Sequence, residues 1–230
     1  MRYRRHDLHG LLVIDKPLGI TSMDVVRVVR RAGGHCKVGH GGTLDPLATG
    51  VLVCCFGNAT KSVPRLMDAT KVYEATVDLS AFTQTDDAEG EREPVQVSQP
   101  PTLLQVRAVL DALTGDVEQT PPCYSAVKVA GQRAYKLARE GAEVELKPRI
   151  VRIDSIELKR YDWPELAITV TCGKGTYIRS LARQIGQRLQ TGGHLTALRR
   201  TRVGPHTIEQ AITLDAVPTP LNPEHLTSDF

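Results

Sequence analysis

The chain has 230 residues, 41% apolar and 24% charged, with a net charge of only +3. That length suits one large domain, or one domain with an appendage, in an ordinary globular protein. No apolar run approaches the roughly 18 residues that span a bilayer. Leu11–Ile14, after the basic N-terminus, is too short for a signal peptide. An integral membrane protein is thereby excluded and a cytoplasmic one expected.

In chain order, Leu11–Ile14 reads as a short buried strand ended by Lys16-Pro17. Thr21 or Ser22 caps a helix over 24–31, with Val25, Val28 and Val29 on one face and Gly33-Gly34 at its end. A glycine-dense stretch, Gly39–Pro46, leads into a second apolar strand, Val51–Phe56. Lys71–Leu79 alternates, with Tyr73, Ala75, Val77 and Leu79 on one face, which predicts a half-buried strand. Thr83–Pro94 is acidic and polar, and reads as a surface loop.

Thr102–Leu113 has an apolar helical stripe of Leu103, Val106, Leu110 and Leu113. Tyr124–Val129 is expected extended, and Ala134–Glu140 as a short helix. Ile150–Leu158 and Leu166–Cys172 pair as antiparallel partners through Asp162-Trp163-Pro164. Thr176–Gln190 is a helix with Ile178, Leu181, Ile185 and Leu189 inside, Arg179 and Arg183 four apart on another face, and Gly192-Gly193 at its end. Leu195–Val203 is the last strand. Three prolines in the final dozen or so residues, Pro218, Pro220 and Pro223, argue against packed structure there. Strands and helices do not alternate strictly, so the fold class is α+β: a mixed, largely antiparallel sheet flanked by helices.

Charge is unevenly distributed. Residues 1–40 carry eight basic and three acidic side chains, and 147–202 carry twelve basic and four acidic. Two basic segments in a nearly neutral chain suggest a face for a polyanion, with nucleic acid the first candidate; a solvated charged surface is the alternative. The five cysteines include no C-x-x-C pair, which argues against zinc and for small buried residues in a reducing compartment.

Gly39–Pro46 is the most unusual segment. Three glycines within four positions permit close backbone approach, and Pro46 biases Asp45 to an extended corner. The segment fits no nucleotide-binding pattern. On pattern alone, Asp45 is as well explained by a turn or a helix cap as by chemistry.

The stretch Gly39-His40-Gly41-Gly42-Thr43-Leu44-Asp45-Pro46-Leu47-Ala48-Thr49-Gly50-Val51-Leu52 resembles the signature of the TruB-type tRNA pseudouridine synthases. Four further stretches agree: Asp15-Lys16-Pro17 with Gly19-Ile20-Thr21-Ser22; Lys71–Ala75; Pro121–Lys128; and Gly173–Ala182. The similarity runs in order from about Leu11 to about Leu214. The resemblance implies a pseudouridine synthase fold and a cofactor-free, metal-free isomerase. Such an enzyme flips uridine 55 out of the tRNA T-loop, breaks its N1–C1′ bond, turns the uracil and rejoins it through C5.

It further implies that Asp45 is the essential nucleophile, attacking either ribose C1′ or base C6. Arg179 pairs with that aspartate, and Tyr73 stacks on the uracil and is a candidate to take the C5 proton. His40 lies at the flipped-out region, Asp87 contacts the neighbourhood of the base, and Leu198 forms an apolar wall beside it. Lys16 belongs to a motif of structural role. Lys128 and Arg133 grip RNA from an insertion at about 121–148. The expected organisation is a catalytic domain over 1–215 and a short tail over 216–230, without the appended PUA-type domain. The expected partner of the monomer is the tRNA T-arm. The rival is an RNA-binding module that has lost catalysis.

Overall fold

The computed structural model describes residues 8–124 and 146–228, with the backbone alone at 128–129 and 132–133. It divides into two units. One comprises the chain up to Tyr73 together with the segment from Leu198 onward; the other comprises Glu74–Ala197.

The first unit is built on β1 (Gly10–Lys16) and β3 (Ala48–Phe56), antiparallel from Gly10 opposite Phe56 to Lys16 opposite Gly50. β13 (Ile212–Thr213) runs parallel to β1 on its outer edge. The other edge of β3 is shared: β2 (Val38–His40) takes its C-terminal part, and β12 (His194–Val203) runs parallel to its first residues. Both long strands are covered on both faces, which is why they read as continuous apolar runs. Leu12, Ile14, Leu52, Cys54 and Phe56 face Val25, Val29 and Ala32 of α1 (Ser22–Ala32). Leu11, Val13, Val51, Val53 and Cys55 face Leu66 of α2 (Val63–Asp68) and Ala59.

Thr21 caps α1, and Asp24 closes the capping box by accepting from the Thr21 amide at 3.0 Å. Val28 is exposed and Val26 is buried in its place. The proline-rich tail packs after all. Leu221 is fully buried in the core that holds α1, its amide donates to Ala32 O at 2.9 Å, and Thr227 pairs with Leu11. Prolines there restrict the chain without preventing an apolar residue between them from entering a core.

In the second unit the strand order is β4 (Lys71–Asp78), β11 (Glu165–Cys172), β10 (Arg149–Asp162) and β7 (Gly115–Gln119). β10 and β11 form the expected hairpin, and β10 pairs antiparallel with β7. Two helices, α3 (Leu103–Ala112) and α4 (Ile178–Leu189), pack on each other, and α3 also packs on β10. Leu103 is exposed, while Val106, Leu110 and Leu113 are buried.

The acidic segment forms a hairpin of β5 (Ala81–Thr83) and β6 (Arg92–Pro94), and its turn is partly buried rather than a surface loop throughout. α4 ends at Gln190, which adopts the left-handed φ of +57°. Gly192 serves a different need: a Cβ there would lie 2.2 Å from the Ala81 amide nitrogen. The Gly192 and Gly193 amides instead donate to Leu79 and Ala81, both at 2.9 Å. A two-residue hairpin, β8 (Lys128–Val129) and β9 (Gln132–Arg133), lies within the insertion. The helix expected at 134–140 falls outside the described residues. The α+β class and the mixed, mostly antiparallel pairing are as expected from sequence.

Candidate active site

Asp45 sits on a corner whose backbone is held on every side within the first unit. β2 ends at His40, opposite Cys54, and the Gly41 amide donates to Val53 O at 2.9 Å. A Cβ on Gly41 would stand 2.8 Å from the Leu66 Cβ, and Gly42 adopts φ of +129°, so both positions need glycine. Leu44 is buried and exchanges two hydrogen bonds with Ser22 Oγ at the start of α1, at 2.8 and 3.0 Å. The Asp45 carbonyl accepts from the Ala48 amide at 3.0 Å, closing the turn that begins β3. The Asp45 side chain is half-buried.

Two buried cations complete the corner. Lys16 has no exposed surface. Its Nζ donates to the carbonyls of Ile20 (2.7 Å), Pro17 (2.8 Å) and Pro46 (3.5 Å). Burial lowers its pKa to about 8; Asp45 opposes the shift and Arg200 adds to it. Arg200 is 1% exposed and donates to Val51 O at 2.8 Å, Gly42 O at 3.1 Å and Thr43 O at 3.4 Å. Gly50, at φ of +99°, lets β3 pass the Arg200 backbone, where a Cβ would fall 2.2 Å from its carbonyl oxygen.

The sequence pattern alone did not single out Arg200, and Lys16 stood only in a motif of structural role. One signal lay in plain view: Arg200 sits two residues from Leu198, on the same strand face.

The other residues expected in this unit are spread along its framework. Leu198 is buried and paired with Ala48, three residues past Asp45. Tyr73 is half-buried on β4, and His40 is half-buried at the end of β2. Burial lowers the His40 pKa, against a main-chain hydrogen bond at Gly42, so the imidazole favours its neutral form.

Arg179 and Asp87 belong to the second unit, and the structure brings them together. Arg179, in the first turn of α4, is 4% exposed and Asp87 is 2% exposed, with 3.5 Å between guanidinium and carboxylate. Arg179 also donates to Thr85 O at 3.0 Å and Tyr124 O at 2.9 Å. Asp87 accepts from Thr85 Oγ1 and, at 3.1 Å, from the Glu89 amide. The carboxylate expected to lie near the flipped base is therefore directed at Arg179. Lys128 and Arg133 stand opposite each other in the β8–β9 hairpin; their side chains fall outside the described residues.

Pairing also thins the basic segment 147–202. Arg152, Lys159 and Arg160 bond carboxylates, as does Arg199, which meets Asp15 at 2.8 Å. Four cysteines are buried and Cys123 is exposed; burial raises the Cys55 pKa to about 11. Among the described residues no group of His, Cys, Asp or Glu is arranged to hold a metal ion, and no helix is long and apolar enough to cross a membrane.

Comparison with known proteins places these residues in a family. Residues 30–178 match the model of the TruB family pseudouridylate synthase N-terminal domain, and 179–223 match that of the tRNA pseudouridylate synthase B C-terminal domain. The chain is 53% identical over 214 residues to tRNA pseudouridine synthase B of Thermobifida fusca, covering 90% of this chain and 73% of that one. It is 50% identical over 219 residues to the protein of the same name from Gluconobacter oxydans, covering 94% of this chain and 65% of that one. The chain thus spans about two thirds to three quarters of the length of these relatives. Among solved structures, a Cbf5-Nop10-Gar1 complex gives a TM-score of 0.72 at 32% identity, over 92% of this chain and 54% of that one. An H/ACA RNP bound to a substrate RNA containing 2′-deoxyuridine gives 0.69 at 29% identity, over 92% and 53%.

Proposed function

We propose that this chain, which belongs to the TruB family of pseudouridylate synthases, isomerises uridine 55 of the tRNA T-loop with Asp45 as its nucleophile. The observation that carries the assignment is the Asp45 corner. Its flanking carbonyls are tied by Lys16 and Arg200, and Leu44 is tied by Ser22. A carboxylate on so rigid a corner approaches its target without first ordering a loop, and such pre-positioning lowers the barrier to a covalent step.

In the proposed reaction the uridine leaves the loop stack, as chemistry on a buried base requires. Asp45 attacks C1′ or C6, and the N1–C1′ bond breaks. The uracil turns, the C5–C1′ bond forms, C5 gives up its proton and N1 takes one. Arg179 is assigned as the cation that keeps Asp45 ionised, and Asp87 as the carboxylate that holds Arg179. Tyr73 is the stacking group and the candidate acceptor of the C5 proton. Leu198 walls the base, and His40, favoured neutral, attends the flipped-out region. Lys128 and Arg133 supply phosphate contacts, which set affinity more than sequence choice.

The T-arm stem-loop is the recognised element, bound by one copy of the chain in the cytoplasm. The catalytic domain is assigned to 1–215, with the insertion at about 121–148. Incubation with a tRNA transcript, followed by carbodiimide-dependent reverse-transcriptase stops, tests the assignment. A stop at uridine 55 is expected. Tight tRNA binding without a stop would favour the RNA-binding module instead.

A further inference from the structure

Two arginines stand one helical turn apart on α4, and the proposed reaction uses only the first. Arg183 forms an ion pair with Asp86 and donates to Thr120 O at 3.0 Å. It therefore repeats what Arg179 does. Each arginine bridges the turn after β5 to the segment after β7: Arg179 through Thr85, Asp87 and Tyr124, and Arg183 through Asp86 and Thr120. The two acidic partners are consecutive in sequence and both buried.

The backbone at Asp86 explains how consecutive carboxylates serve one helix face. Asp86 adopts φ of +60°, the left-handed region that aspartate tolerates better than most residues. Its amide donates to Thr83 O at 3.2 Å, and its carbonyl accepts from Leu195 at 3.0 Å. This turn brings the Thr85 carbonyl and the Asp87 carboxylate, one on each side of Asp86, to the same guanidinium of Arg179. Asp86 itself is 3% exposed. Burial raises its pKa, and Arg183 is the first group that opposes the rise.

We propose that Arg183 and Asp86 are a positioning pair: by locking the left-handed turn they aim Thr85 O and Asp87 at Arg179 and so fix where that guanidinium points. The proposal rests on the assignment of the chain as a uridine isomerase that uses Arg179. Neither Arg183 nor Asp86 is assigned a contact with the base. Their effect passes through Arg179, so it belongs to the rate of chemistry and not to tRNA affinity.

The test uses the full chain and tRNA transcript carrying tritium at uridine C5. Single-turnover tritium release, equilibrium tRNA binding and Tm are measured for wild type, Arg183→Gln, Asp86→Asn and the double variant. Asn keeps both the size and the left-handed tolerance of Asp, so Asp86→Asn reads the pair by itself if Arg183→Gln does not fold. Each single variant is expected to slow release about tenfold, with affinity within about twofold of wild type. The double variant is expected to be no slower than the slower single, as two members of one pair require. Wild-type rates in the variants overturn the proposal. So does a loss that only tracks affinity or folded fraction, or a double variant whose losses multiply. Absence of release by wild type overturns the isomerase assignment itself, which distinguishes the two failures.

Discussion

The Asp45 loop of the first unit lies against two buried cations and the Asp86–Asp87 turn of the second against one buried and one half-buried cation, but the cations act differently. Lys16 and Arg200 donate to six main-chain carbonyls around Asp45: Pro17, Ile20 and Pro46 for the lysine, Val51, Gly42 and Thr43 for the arginine. Arg179 and Arg183 donate to carbonyls as well, but each also meets a buried carboxylate. A cation against carbonyls fixes backbone shape and keeps its charge. A cation against a carboxylate settles a charge as well as a shape. The price shows in Lys16, whose pKa burial drags down, because carbonyl dipoles do not fully replace lost hydration.

The comparison predicts which substitutions act on chemistry and which on folding. The largest effect belongs to Asp45→Asn. It is nearly isosteric and leaves the six carbonyl contacts in place, so urea stability and tRNA affinity should hold. Single-turnover pseudouridine formation should fall at least about a thousandfold, equivalent to about 4 kcal/mol of barrier. Residual turnover within tenfold of wild type would remove Asp45 from the nucleophile's role.

Arg200→Met is the mirror case, acting on shape. It strands the buried carbonyl of Val51 and the part-buried carbonyls of Gly42 and Thr43 beside an apolar chain. An unpaired buried acceptor costs about 1–3 kcal/mol and a part-buried one less, so a loss of about 3 kcal/mol in urea unfolding is expected. A change below about 1 kcal/mol would mean that the loop holds its shape without this arginine.

Arg179→Lys tests the carboxylate-bound arrangement. The ammonium keeps the charge but cannot serve Thr85 O, Asp87 and Tyr124 O with one planar fork. About a hundredfold loss in kcat is expected, roughly 2.7 kcal/mol, with Arg179→Ala lower still. Normal turnover by the alanine variant would dissolve the proposed Asp45–Arg179 pairing.

How much of this was legible in the sequence follows from how local each cause is. Strands β1 and β3 were legible because burial on both faces leaves continuous apolar runs. The cap of α1 was legible because Thr21 and Asp24 lie three residues apart. Val28 was misjudged for a geometric reason. At about 100° per residue Val26 and Val28 lie equally far, about 80°, on either side of the midpoint between Val25 and Val29, so periodicity alone does not decide which of the two is buried. The acidic turn was read as surface because its arginine partners lie 94 and 97 residues further on. No composition window spans that distance. Within the basic segment 147–202 charge counts likewise do not show which arginines are engaged inside the fold, as Arg179 and Arg183 are with Asp87 and Asp86. The family signature supplied Asp45, Arg179 and Tyr73, while the corner's main-chain support came only with coordinates.

The smallest effect sharpens the comparison through pH. The ordinary lysine value of 10.5 applies to the unfolded chain, and about 8 to Lys16 in the fold. Below both values the ammonium is present in each state and the fold bears the full burden of burying it. Between them the unfolded chain keeps a proton that the folded chain has released, so Lys16's contribution to stability rises with pH. In Lys16→Met that titration is gone, while the carbonyls of Pro17, Ile20 and Pro46 lose their donor. The variant should be less stable at pH 7.5, and the gap to wild type should widen by about 2 kcal/mol by pH 9.5. Taking the difference between the two proteins cancels the other lysines. Urea unfolding of both at the two pH values measures it. A gap that stays constant would place the Lys16 ammonium in a site that compensates its burial fully. The contrast between carbonyl-held and carboxylate-held cations would then fail at its first member.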